Sequence, residues 1–257
     1  MCLLAGRLLT ARLESYGVGR AGKTVVGSPW VAVLEWAVLM RAAETGGVVL
    51  RLLDLFCKAG GASMGYHRAG FRVVGVDIEP QPRYPFEFHQ HDAMTFPLDG
   101  FDVIHASPPC QRYSAINRGM KTSHKYPDLV SAVRRRLEGR MYVIENVVGA
   151  PLMQPITLCG SHFGLSSGNM WLRRHRWFEL PVLLLAPSCE HPNGLSIGVY
   201  GNGTNKWHRD LLGRNITVAE QREAMGIDWM TRAELTQAIP PAYTEWIGRR
   251  LRQEVLF

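Results

Sequence analysis

From Arg51 onward, short apolar runs alternate with segments of helical spacing. RLLDLF (51–56) reads as a strand that stops at CKAGG, after which ASMGYHRAG has helical spacing and closes at Gly70. FRVVGVDI (71–78) is a buried strand carrying the acid Asp77, and FDVIHAS (101–107) is another, running into the loop SPPCQRYS. A helix from about Asp128 to Leu137 leads to the strand MYVIENV (141–147). Thr217 with Glu220, and Thr231 with Glu234, have capping-box spacing, which predicts two short helices, and a last helix after Pro240 and Pro241 is expected to pack back onto the sheet. The alternation predicts an α/β fold, a mostly parallel sheet with helices on its faces.

Residues 1–48 show no sustained period and read as an N-terminal extension or as sequence upstream of a true start at an internal codon such as Met40. The apolar run Trp30–Met40 imitates a signal-peptide core but contains Glu35 and is too short to span a bilayer. Four regions are expected: this extension, a catalytic and cofactor-binding core over 49–180, a small recognition region over 181–215, and C-terminal helices over 216–257 that return to the core.

Charge adds a partner class. Lys and Arg total 29 against 22 Asp and Glu, a net +7 that suits a polyanion. Five cysteines without a CxxC pair argue against a secreted disulfide framework and for a reducing cytosol. Cys189 and His191 in SCEHP, with Cys159 upstream, are ligand types, but regular four-ligand spacing is absent and no metal is expected.

A strand entering a Gly-rich turn and a helix directs backbone amides toward a ligand, with Gly60 and Gly61 allowing close approach. A tight turn needs glycine for conformational reasons as well. Asp77 stands where a nucleotide-binding sheet offers a carboxylate to ribose hydroxyls, and Asp92 is placed to meet an adenine amino group or simply to face solvent. In SPPCQRYS two prolines stiffen the loop that carries Cys110, with Arg112, Arg174 and Arg176 as candidates for lowering its thiol pKa. Glu145 ends its strand at the same sheet edge, where burial would keep its carboxyl protonated for donation to a ring nitrogen. Arg174 and Arg176 share a face of a predicted strand and would bind phosphate or hold Glu145.

At these residues the chain resembles the cytosine-5 DNA methyltransferase family, over about Arg51 to Gly248. DLFCKAGG is similar to the family's first cofactor motif, with Phe56 against the cofactor and Gly60 and Gly61 at the turn. Asp77 matches the ribose-binding acid, Ile78 the residue packed on adenine, and Asp92 the adenine-contacting acid. PPCQ resembles the nucleophile loop, with Pro109 beside the cofactor and Cys110 as nucleophile; ENV resembles the motif that assigns Glu145, and Arg174-His175-Arg176 the paired-arginine motif. QAIPPAYTEWIG resembles the closing motif, with Gln237 at the cofactor pocket.

The resemblance implies a Rossmann-like S-adenosylmethionine-dependent fold, with Cys110 adding to C6 of a flipped-out cytosine, Glu145 stabilising its protonated N3, and C5 accepting the methyl group. It further implies double-stranded DNA as partner, a monomer in the cytoplasm with no membrane, nucleic-acid contacts from Gln111, Arg112, Ser114, Lys206 and Arg209, and restriction-modification as a setting. Lys58 stands where the family has Gly, Arg112 where it has a small residue, and Gln237 where it has Asn, while 181–215 is short for a target-recognition domain. A tRNA cytosine-5 methyltransferase and a catalytically silent DNA-binding homologue remain as alternative readings.

Overall fold

The computed structural model describes residues 49–114, 126–200 and 206–256, without the side chains of 206–208. Expectations for residues 1–48 lie outside the described residues.

The parallel core follows the predicted runs. Strands β1 (Arg51–Leu55), β2 (Arg72–Asp77), β3 (Glu87–Gln90), β4 (Val103–Ala106) and β5 (Tyr142–Asn146) pair in parallel. Beyond them lie β6 (Ile156–Leu158) and β9 (Arg176–Glu179); β9 inserts antiparallel between β5 and β6, giving the order β3-β2-β1-β4-β5-β9-β6. Reversing strand order at β1 and β4 opens a crevice at the carboxyl edge, where Phe56, Asp77, Ser107 and Asn146 lie at or just beyond strand ends.

Both faces of this sheet are covered, so its strands are near-continuously apolar rather than alternating. On one face Leu52, Val73, Val103 and Phe178 pack under helices α1 (Gly61–Arg68) and, at the chain end, α6 (Pro241–Leu256). On the other, Leu53, Val74, Ile104 and Ile144 meet Val133 and Leu137 of α2 (Val130–Leu137).

A second, smaller core lies beyond the main sheet. Strands β7 (Ser166–Ser167), β8 (Met170–Leu172) and β10 (Leu195–Ile197) form a three-stranded sheet, followed by α3 (Lys206–Leu212), α4 (Val218–Met225) and α5 (Arg232–Gln237). Both predicted capping boxes are present, at Thr217 on α4 and Thr231 on α5. Met170, Leu172, Ile197, Met225 and Leu235 share this core, so it draws on chain either side of 181–215. Of the C-terminal helices, α6 lies on the main sheet as expected, whereas α4 and α5 build the second core.

Helix α6 seats on α1 through glycine. A Cβ at Gly65 would lie 2.1 Å from both the Pro241 carbonyl oxygen and Thr244 Oγ1, and Thr244 Oγ1 donates to the Ala62 carbonyl at 2.8 Å. Neither backbone atom nor buried hydroxyl can yield without separating the helices. Gly65→Ala is therefore expected to lower unfolding free energy by about 2–3 kcal/mol in urea titration; a loss below about 0.5 kcal/mol would show that the contact is slack.

Candidate active site

A cavity of about 530 Å³ opens along the carboxyl edge of the main sheet. Its lining includes Phe56, Gly61, Asp77, Ile78, Asp92, Pro109 and Gln237 from the predicted cofactor set, together with Cys110, Glu145 and Arg176. Gln111 and Ser114 also line it, so residues from 54 to 239 meet in one space.

At the cofactor end the turn after β1 is tightly specified. Phe56 (φ 61°) and Lys58 (φ 45°) adopt left-handed backbone, a region that favours glycine and accounts for the glycine that the family carries at position 58. The Lys58 amide donates to Asp77 Oδ2 at 3.0 Å, the Glu79 amide donates to Asp77 Oδ1 at 3.0 Å, and the Lys58 ammonium pairs with Glu79 at 2.8 Å. Asp77 is thereby fixed, with lone pairs left for hydroxyl donors. Beside it Ile78 is 68% exposed, an apolar side chain free to cover a flat ring. Asp92 Oδ1 accepts from the Met94 amide at 2.8 Å.

Packing also requires both glycines. Gly60 (φ 81°) precedes α1, and a Cβ there would meet Pro85 at 2.9 Å; one at Gly61 would meet the Ile239 carbonyl at 2.5 Å. Gly60 is absent from the cavity lining.

The loop that carries Cys110 is clamped from both sides. Ser107 N–H donates to Leu55 O at 3.1 Å, and Asn146 Nδ2 donates to Pro108 O at 3.0 Å. Cys110 accepts from the Tyr113 and Ser114 amides at its carbonyl, which closes the loop into a turn. Glu145 is 5% exposed, and Arg176 Nε lies 3.2 Å from its Oε1. Burial raises the Glu145 carboxyl pKa against the opposing pull of Arg176.

The expectation that arginine would lower the Cys110 pKa is corrected. Burial, then the neighbouring Glu145, pushes the thiol up, and Arg176 with Arg174 only moderates this. Arg112 is turned elsewhere, its Nη1 donating to the Tyr126 carbonyl at 3.3 Å.

Arg174 also departs from its expected place. Strand β9 begins at Arg176, so the two arginines do not share a strand face. The Arg174 guanidinium is fully buried and donates to the carbonyls of Val199, Thr236 and Ala238 at 2.7–2.9 Å. It joins the second core to the cavity wall, its three hydrogen bonds going to these carbonyls and not to Glu145. Arg209 is exposed on α3, away from the cavity lining, and the Lys206 side chain lies outside the described residues.

Two buried features escaped the sequence reading. Tyr66 Oη and His105 Nδ1 are 2.9 Å apart, His105 Nε2 and Ser107 Oγ 2.9 Å, and Ser107 acts on the Glu145 carboxyl to favour its charged form. Burial depresses the His105 pKa to about 3, so the ring is neutral and every member is satisfied when Tyr66 donates to Nδ1 and Nε2–H donates to Ser107. Asp54, on β1, takes a hydrogen bond from Ser63, and burial raises its pKa to about 7. Its Oδ1 is buried on the cavity wall without a hydrogen-bond partner. An acid inside an apolar parallel strand was the available signal.

The strand order and the carboxyl-edge cavity define the class: an S-adenosylmethionine-dependent methyltransferase fold. Residues 50–151 match the C-5 cytosine-specific DNA methylase family, the family to which the motifs pointed. A type II methyltransferase of Haemophilus parahaemolyticus, M1.HphI, is 31% identical over 121 residues, covering 38% of this chain and 32% of that protein. The match thus spans about a third of the relative's length. Two solved structures share the fold: the Dnmt2 methyltransferase of S. pombe (14% identity, TM-score 0.50, covering 80% of this chain and 99% of that one) and the methyltransferase EhMeth of Entamoeba histolytica (13%, 0.51, 82% and 98%). The family's cofactor is S-adenosylmethionine. The cavity suits it: Asp77 is poised for hydroxyls, Ile78 is exposed for a ring, and Asp54 Oδ1 is an unpartnered acceptor.

The coupling of Cys110 to Glu145 is measurable. Alkylation of the Cys110 peptide by iodoacetamide, followed by mass spectrometry, should accelerate as pH rises beyond the ordinary thiol range. Glu145→Gln removes the carboxylate that opposes the thiolate, so its profile should shift to lower pH; coincident profiles would show that the groups are uncoupled.

Proposed function

We propose that the chain transfers a methyl group from S-adenosylmethionine to C5 of cytosine in DNA, with Cys110 as nucleophile and Glu145 as acid. The observation that carries this reading is the single cavity joining Phe56, Asp77 and Ile78 to Cys110, Glu145 and Arg176. Separate pockets would not allow a cofactor and a base to meet.

The residues then have distinct tasks. Phe56 and Ile78 offer apolar surface, Asp77 a carboxylate for ribose hydroxyls, and Asp54 an acceptor for a cationic donor group. When bound, S-adenosylmethionine supplies an electrophilic methyl group. The clamped loop holds Cys110 Sγ toward C6 of a base brought into the cavity, where the thiolate adds and C5 becomes nucleophilic. Glu145, its pKa raised by burial, holds a proton toward N3 and stabilises charge there as the thiolate adds. Arg176 orients that carboxyl. Loss of the C5 proton then returns the electron pair that expels Cys110.

Because C6 is shielded within a duplex, the base must leave the stack, at a cost on the order of a few kcal/mol. Gln111 and Ser114, which line the cavity, would fill the space or hold backbone phosphate, and exposed Arg209 would add charge. A single chain contains the whole cavity, which suits a monomer. Among the described residues no helix is long and apolar enough to cross a membrane.

Duplex DNA and tRNA should be offered separately with methyl-labelled S-adenosylmethionine. Label at C5 of cytosine in DNA is expected, with none from Cys110→Ala and a loss of about 10²–10⁴ in kcat from Glu145→Gln. DNA carrying 5-fluorocytosine should trap the enzyme in a denaturation-stable adduct, because the C5 substituent can no longer leave as a proton. Label in tRNA alone would transfer the same chemistry to RNA, and cofactor binding without label in either would favour a silent binder.

A further inference from the structure

We propose that Cys159, His175, Cys189 and His191 form a structural zinc site, independent of the reaction proposed above. The four donor atoms lie within 4.8 Å of one another. His191 Nε2 is 3.1 Å from Cys189 Sγ, 3.3 Å from His175 Nε2 and 3.8 Å from Cys159 Sγ, and His175 Nε2 is 3.2 Å from Cys189 Sγ. Tetrahedral zinc with ordinary bond lengths sets sulfur–nitrogen separations of about 3.6 Å and nitrogen–nitrogen of about 3.4 Å. The observed edges scatter about those values.

Hydrogen bonding does not explain the convergence. A neutral ring nitrogen carries either one hydrogen or one lone pair, so His191 Nε2 can make one good bond, yet three donor atoms crowd it. Four donor atoms gathered this closely are satisfied together by a cation among them. Two thiols and two imidazoles select zinc over magnesium or calcium, and two thiolates would neutralise its charge. Residue spacing hid the set: Cys159 follows β6, His175 sits between β8 and β9, and Cys189 and His191 lie in the segment before β10. The expectation of no metal rested on that spacing.

The site also answers what holds this segment. Residues 180, 182, 184 and 186 pack against the main core, but 187–194 are all exposed and form no regular element. Cys189 and His191 are exposed, and Trp171 stacks on the His191 ring at 4.8 Å between centroids. Zinc would pin this segment to the sheet and hold His175, and through it the backbone of Arg174 and Arg176.

The test uses the full chain, purified untagged without added metal and analysed by elemental mass spectrometry. About one zinc per chain is expected, falling below about 0.1 in Cys189→Ser and in His191→Ala but retained in His89→Ala. Cobalt added to the metal-stripped wild type should give the strong visible absorption and thiolate charge-transfer bands of a tetrahedral site. That spectrum decides the matter if the variants fail to fold. Zinc absent from the wild type with no cobalt spectrum, iron in its place, zinc undiminished in both variants, or a mass two daltons low from a Cys159–Cys189 disulfide would each overturn the proposal.

Discussion

Glu145 lies almost wholly out of water at a strand end, beside a half-buried thiol and against the Arg176 guanidinium. A charged carboxylate there needs a partner, and a neutral one needs somewhere to direct its proton. Arg176 supplies the first requirement, and Ser107 also favours the charged form, backed by neutral His105 and Tyr66. Much else in the molecule positions this group: β5 carries it, antiparallel β9 brings Arg176 across, and Asn146 holds the cysteine loop alongside.

The thiol is not preactivated. Burial and the adjacent acid keep Cys110 protonated at neutral pH, with arginine a lesser influence. An ionised Glu145 opposes the thiolate, so a carboxyl that keeps its proton leaves Cys110 easier to ionise.

The main sheet and its edge were legible in the sequence because apolar runs, turn glycines and capping boxes are local signals. DLFCKAGG, Asp77, PPCQ and ENV lie at or just beyond strand ends, and a parallel sheet brings strand ends together whatever their separation along the chain. Arg174 was misjudged since β9 begins two residues later than the Arg-His-Arg pattern implies, leaving its head among carbonyls from distant loops. Tyr66, His105 and Asp54 were overlooked because a polar residue inside a helix or strand declares its partner only in three dimensions. The second core was similarly hidden: it assembles chain from both sides of the recognition segment.

The Arg174 contacts bear on how the molecule can move. Its buried guanidinium grips carbonyls at positions 199, 236 and 238, and stretching any of these bonds would strand charge in a space without water. Hinge opening between the smaller lobe and the cofactor wall is accordingly stiff. The smaller lobe and the cavity wall therefore shift together or not at all, so a substitution in the second core is felt at the cavity.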